Sequence, residues 1–121
     1  MRGGRVMRIA LPYPPTVNHY WGQSGTRRYI MPRGVAFREA VALELYAAHG
    51  APIEGPVRLD IVAHPPDKRR RDIDNILKAL LDALEHGRAF EDDSQVAHLT
   101  IRRAEPVNGG RVDVEIREEG M

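Results

Sequence analysis

The sequence predicts an α+β fold: a small mixed or antiparallel β-sheet with two helices packed on one face. Three observations predict it. Four stretches alternate apolar and polar residues with a period of two. Two others carry apolar stripes at helical spacing. Their order is strand, arm, helix, strand, helix, strand, strand, a layered plan with no internal repeat. The 121 residues are expected to form one domain, 1–121, large enough to bury roughly two thirds of the surface the unfolded chain exposes.

Arg5 to Leu11 alternates as a strand, and Pro12, Pro14 and Pro15 stop it because proline cannot donate to a ladder. Residues 12–34 read as a long irregular arm with a short extended piece at Arg28 to Met31. Gly34 to His49 is predicted as a helix, with Phe37, Val41, Leu45 and Ala48 in one stripe and Ala36, Ala40, Leu43 and Ala47 widening it. Gly50 falls at its C-terminal cap. Pro56 to His64 is a strand with Val57, Leu59, Ile61 and Ala63 on its apolar side. Ile73 to His86 is the clearest helix. Ile73, Ile76, Leu77, Leu80, Leu81 and Leu84 share one face. Ala89 to Ser94 is an acidic turn. In the strand from Val96 to Arg103, Val96, His98, Thr100 and Arg102 oppose Ala97, Leu99 and Ile101. Asn108-Gly109-Gly110 signals a turn. Val112, Val114 and Ile116 mark a last strand, and Glu118 to Met121 a frayed tail.

Composition excludes several classes. There is no cysteine, hence no disulfide and no thiolate metal site. No run of about 18 apolar residues exists, and Met1 to Arg8 lacks an apolar signal core, so a soluble cytoplasmic protein without a membrane partner is expected. The net charge of +1 hides an asymmetry. Residues 1–71 carry 12 basic and 5 acidic side chains, and residues 72–121 carry 6 and 12. The two halves can cancel on folding, or present a basic rim around an acidic pocket.

The division falls inside "RRRDIDN", residues 69–75. Asp72 and Asp74 would stand about 200° apart on a helix, but share a side in extended chain. They cooperate only if Asp72 precedes the helix. Either also serves as an ordinary helix cap. Lys78, four residues after Asp74, fits a surface ion pair or an ammonium near phosphate. Glu91-Asp92-Asp93 fits a solvated turn, or a further carboxylate for a magnesium ion, which takes oxygen ligands. Gly87 to Asp93 is long enough, if nearly extended, to return along the roughly 21 Å of helix. Lys68, Arg69, Arg70 and Arg71 fit a solvated loop or a phosphate-binding rim. In the arm, Asn18, Tyr20 and Trp21 with Arg27 and Arg28 fit a core plug or a nucleic-acid contact.

Three stretches together, "PYPPTVNHYW" at 12–21, "RRRDIDNILKALLDAL" at 69–84 and "FEDDSQV" at 90–96, resemble the RusA family of Holliday-junction resolvases, small phage and bacterial endonucleases. The resemblance runs through nearly the whole chain in order and spacing. It implies a homodimer that resolves four-way DNA junctions by paired symmetric nicks in recombination and repair. Magnesium is the implied cofactor, manganese a substitute, and no organic cofactor is implied. By position, Asp72, Asp74 and Asp93 match the family's carboxylates and Lys78 its lysine. Asp92 is a neighbouring ligand candidate, and Asn75 matches the motif asparagine. Lys68 to Arg71, Arg27, Arg28 and Asn18 would then contact nucleic acid. A branched-DNA-binding module without catalysis, or a magnesium nuclease for other branched DNA, fits the same residues.

Overall fold

The computed structural model describes residues 4–48 and 51–119. The expected helix end at His49, its Gly50 cap, and Gly120 and Met121 of the expected tail lie outside the described residues. A four-stranded mixed sheet is built from β1 (Val6–Leu11), β4 (Val57–His64), β5 (Val96–Arg103) and β6 (Arg111–Glu118). Its order is β1-β6-β4-β5. β6 lies antiparallel to both β1 and β4, whereas β4 and β5 are parallel. A parallel pair needs a crossover, and α3 (Leu77–His86) supplies it. The turn at Asn108 to Gly110 places Gly109 and Gly110 at φ of +83° and +78°, which suits glycine.

The alternation of the strands decides the faces. Val57, Leu59, Ile61 and Ala63 of β4 and Val112, Val114 and Ile116 of β6 are buried. They join one core with Phe37, Val41 and Leu45 of α2 (Pro32–Ala48) and Ile76, Leu80 and Leu84. The other face of the sheet carries answered charges. Arg8 meets Glu115 at 3.1 Å, Arg58 meets Asp60 at 3.1 Å, and Arg111 meets Asp113 at 3.0 Å. Of these three pairs only Arg8–Glu115 joins the basic first part of the chain to the acidic second part.

Six expectations are corrected. The arm is not irregular: it contains α1 (Val17–Tyr20) and an antiparallel hairpin of β2 (Trp21–Ser24) and β3 (Arg27–Ile30). Gly25, at φ +63°, makes the tight turn possible. α2 begins two residues earlier, at Pro32, since proline is tolerated in a first helical turn. Its core stripe is also narrower, with Ala36, Ala47 and Ala48 exposed and Leu43 69% exposed. The clearest helix opens as a 3-10 turn over Ile73–Ile76; this tighter winding turns Ile73 off the apolar face and leaves it exposed. A bulge pairs Val57 with Val96 but Arg58 with His98. Ala97 is thereby skipped, and Val96 packs on the core side with Leu99 and Ile101, because one extra residue reverses the alternation. Finally, Glu118 is not frayed: it ends β6, and its N–H donates to the Arg5 carbonyl at 2.8 Å.

Candidate active site

Pro65 and Pro66 end β4, and the chain then curls around Asp67. The Asp67 carboxylate accepts from the Arg69 N–H at 2.9 Å and from Arg71 Nη1 at 2.7 Å. Arg71, helped by that Arg69 N–H, holds the Asp67 carboxyl down at about 2. Arg103 Nη2 donates to the Arg71 carbonyl at 2.5 Å. Arg71 is thus a brace, its side chain 25% exposed, while Lys68, Arg69 and Arg70 point to solvent. No local pattern signals that one arginine of the three is tied inward by a carboxylate four residues earlier.

Asp72 follows in extended conformation, φ −80° and ψ 132°, at the cap of the 3-10 turn. This is the placement that lets it share a side with a residue two further on. Its carboxylate makes no capping hydrogen bond, so the cap reading does not account for it. Asp74 lies within the 3-10 turn, and the Asn75 N–H donates to the Asp72 carbonyl at 3.2 Å. Lys78 is exposed on the first turn of α3. Among the described residues it pairs with no carboxylate, Asp74 included. A groove here is lined by Tyr13, Thr16, Arg70, Arg71, Asp72 and Asn75. Arm, basic loop and the start of the 3-10 turn therefore meet at one place.

The second acidic cluster lies elsewhere. Oxygens of Glu85, Asp92 and Asp93 are all within 4.8 Å of one another. Glu85 accepts from the Asp93 N–H at 2.8 Å, which fixes Asp93 near the C-terminal end of α3. Asp72 and Asp74 lie at the other end. The ten residues between rise about 15 Å. Within one chain the connection does not return along the helix. Phe90 is fully buried and bridges to Ile53, and this anchor holds the turn where α3 ends.

Asp92 and Asp93 differ in employment. Asp92 caps a short 3-10 turn, Asp93–Gln95, accepting from the Ser94 N–H at 2.8 Å. The Ser94 backbone, then its hydroxyl, lowers the Asp92 carboxyl below its usual range. Gln95 closes the turn. Its Oε1 accepts from the Glu91 and Asp92 N–H groups at 2.8 and 3.0 Å, and its Nε2 donates to the Ile53 and Gly55 carbonyls at 2.9 and 2.7 Å. Asp93 is exposed and caps nothing.

The arm is pinned by a further cluster that the sequence did not announce. Tyr20 is fully buried and its hydroxyl donates to Asp82 of α3. Burial, reinforced by Asp82, raises the Tyr20 hydroxyl well above its ordinary value. Arg38 of α2 donates to Asp82 Oδ2 through Nη2 at 2.7 Å and Nε at 3.0 Å. Asn18 is exposed on α1; Arg27 and Arg28 are exposed on the hairpin.

The donor set suits a hard divalent cation. It consists of exposed carboxylates with no thiolate, the oxygen ligands magnesium and manganese take. The exposed Lys68, Arg69 and Arg70 carry the charge that suits a polyanion. The family model described as Endodeoxyribonuclease RusA matches residues 12–117. The chain is 37% identical over 118 residues to the crossover junction endodeoxyribonuclease of Enterobacteria phage HK97, covering 92% of this chain and 93% of that protein. It is 36% identical over 113 residues to the crossover junction endodeoxyribonuclease of Escherichia coli K12 and to that of Enterobacteria phage 82, covering 93% of this chain and 94% of each.

Proposed function

The chain belongs to the endodeoxyribonuclease RusA family, and from that premise we propose that it resolves four-way DNA junctions by paired, magnesium-dependent nicks. The observation that carries this reading is the groove in which Asp72 meets Arg70 and the arm, with Lys78 one helical turn beyond Asp74. Lys68, Arg69 and Arg70 bind the phosphodiester backbone, Arg69 and Arg70 through bidentate forks. Arg71, tied to Asp67, holds the loop's shape. Asn18, Arg27 and Arg28 extend the contact along the arm. Asp72, Asp74 and Asp93 hold the cation, and Asp92 keeps the Asp93 turn closed. When bound, the cation supplies an activated water and charge for the leaving oxygen. Lys78 donates to the reacting phosphate or the leaving oxygen, and with no carboxylate partner among the described residues its charge is available.

The separation of Asp93 from Asp72 and Asp74 bears on assembly. A homodimer accounts for two symmetric cuts with one site per chain. If the acidic turn of one copy faces the 3-10 turn of the other, it also unites the carboxylates. The exposed Leu43 and Tyr46 on α2 offer apolar surface for such contact. No described helix is long and apolar enough to cross a membrane. Phage and bacterial relatives are consistent with work on DNA in the cytoplasm.

The test is cleavage of a synthetic mobile four-way junction beside linear duplex and a flap, with and without magnesium, then manganese. Paired nicks on the junction alone, and only with metal, are expected. Equal cleavage of the flap would make the chain a nuclease for branched DNA in general. Binding without nicks under any metal would reduce it to a binding module.

A further inference from the structure

The hairpin formed by β2 and β3 belongs to no larger sheet. It is anchored at its base, where Trp21 and Ile30 pack against the core and the Met31 N–H donates to the Tyr20 carbonyl at 2.9 Å. From Gln23 to Tyr29 every residue is exposed. Tyr29 pairs across the hairpin with Gly22, and its ring lies on the glycine. A Cβ at Gly22 would sit 2.5 Å from the ring Cζ. One face of the ring therefore rests on backbone, and Tyr29 stays 46% exposed. On the opposite side of the hairpin the Arg28 guanidinium stacks on Trp21, 4.1 Å from the ring centroid. The first carboxylate of the chain is Glu39, so none lies within the arm to neutralise Arg27 or Arg28. This contrasts with the open face of the four-stranded sheet, where arginines are answered by acids.

The hairpin also stands beside the groove. Thr16, which lines the groove with Asp72, caps α1, and the hairpin starts at the end of that four-residue helix, about 6 Å of rise away. A flat aromatic face needs a flat partner. The uncompensated Arg27, two residues away on the same side of the hairpin, needs an anion. A nucleotide whose base is out of the duplex stack offers both, whereas a base within the stack offers only its edge. We propose that Tyr29 stacks on an unpaired base at the branch point of the DNA, with Arg27 on a flanking phosphate. This rests on the branched-DNA reading above.

The test is photocrosslinking of the wild-type protein, in EDTA, to a four-way junction carrying 5-iodouracil either next to the crossover or in the middle of an arm. Trypsin releases Tyr29 to Arg33, a peptide with one aromatic residue. An adduct on that peptide from the crossover position alone is expected. Tyr29→Leu should weaken junction binding by roughly tenfold or more while Tyr29→Phe does not, with affinity for linear duplex unchanged in both. A protein that binds the junction but gives no Tyr29 adduct overturns this inference and leaves the nuclease reading intact. A protein that does not bind the junction at all overturns both.

Discussion

Arg38 and Asp82 are joined by two hydrogen bonds to one carboxylate oxygen, at 2.7 and 3.0 Å, and Asp82 lies one helical turn beyond Lys78. At that spacing a lysine and an aspartate normally attract each other. Here Arg38 and Tyr20 occupy the carboxylate, and among the described residues Lys78 pairs with no carboxylate. Arg38→Met should therefore release Asp82 toward Lys78 and lower cleavage by about two- to fivefold. Arg38→Met with Asp82→Asn should recover most of the loss. The chain has only two lysines, Lys68 and Lys78, so the Lys78 Nζ resonance can be followed directly. It should shift in the single variant and return in the double one. A loss of activity that the double variant does not recover would mean that the cluster only holds the arm.

The curl of the basic loop should depend on acid pH. The Asp67 carboxyl titrates at about 2, below its ordinary value of 3.8. A depressed carboxyl contributes stability above its unfolded value and loses it as pH falls through the folded one. Order at Arg69 and Arg71 should thus persist to about pH 4 and disappear toward about pH 2, read from the Arg69 amide and Arg71 guanidinium resonances. Asp67→Asn should show a looser loop at neutral pH, with faster tryptic cutting after Lys68 and Arg69.

The parts of this fold that were legible in the sequence are those with one strong period. Leu80 and Leu84 of α3 and the alternating face of β4 are buried where their spacing places them. Three features escaped for separate reasons. The hairpin is short, and the Gly25 turn was masked by the proline-rich run before it. The bulge at Ala97 is set by the parallel partner, which no local pattern reports. The end of the acidic turn depends on Phe90, a single buried anchor that a count of charges overlooks. Of the candidate site, spacing set only the condition that Asp72 precede the helix, and Asp72 is extended there, whereas the braces at Asp67, Asp82 and Gln95 are contacts across the fold.

Gln95 should matter more to stability than an exposed-turn residue ordinarily does. It makes four hydrogen bonds between the acidic turn and the segment at Ile53 and Gly55. Gln95→Ala should cost about 1–3 kcal/mol, since two backbone carbonyls and two N–H groups lose their partner. Gln95→Glu keeps the acceptor and loses the donors, so it should cost less than alanine at neutral pH. Urea unfolding of the three proteins would measure both. Equal stability of all three would mean that water replaces the side chain without loss.

The last prediction concerns which copy supplies Asp93. Asp74→Asn and Asp93→Asn should each abolish cleavage alone while leaving junction binding. Suppose each site draws Asp72 and Asp74 from one copy and Asp93 from its partner. A mixed dimer of the two variants then carries one site with both substitutions and one with neither. Mixing the inactive proteins under subunit exchange should restore nicking, on one strand of each junction instead of two. Suppose instead that each chain completes its own site. Every site in the mixed dimer then carries one substitution, and no nicking returns. The roughly 15 Å rise of α3 between the acid clusters favours the first outcome. Persistent inactivity of the mixture, with dimer exchange verified by tagged pull-down, would show that the acidic turn must move toward Asp72 within its own chain.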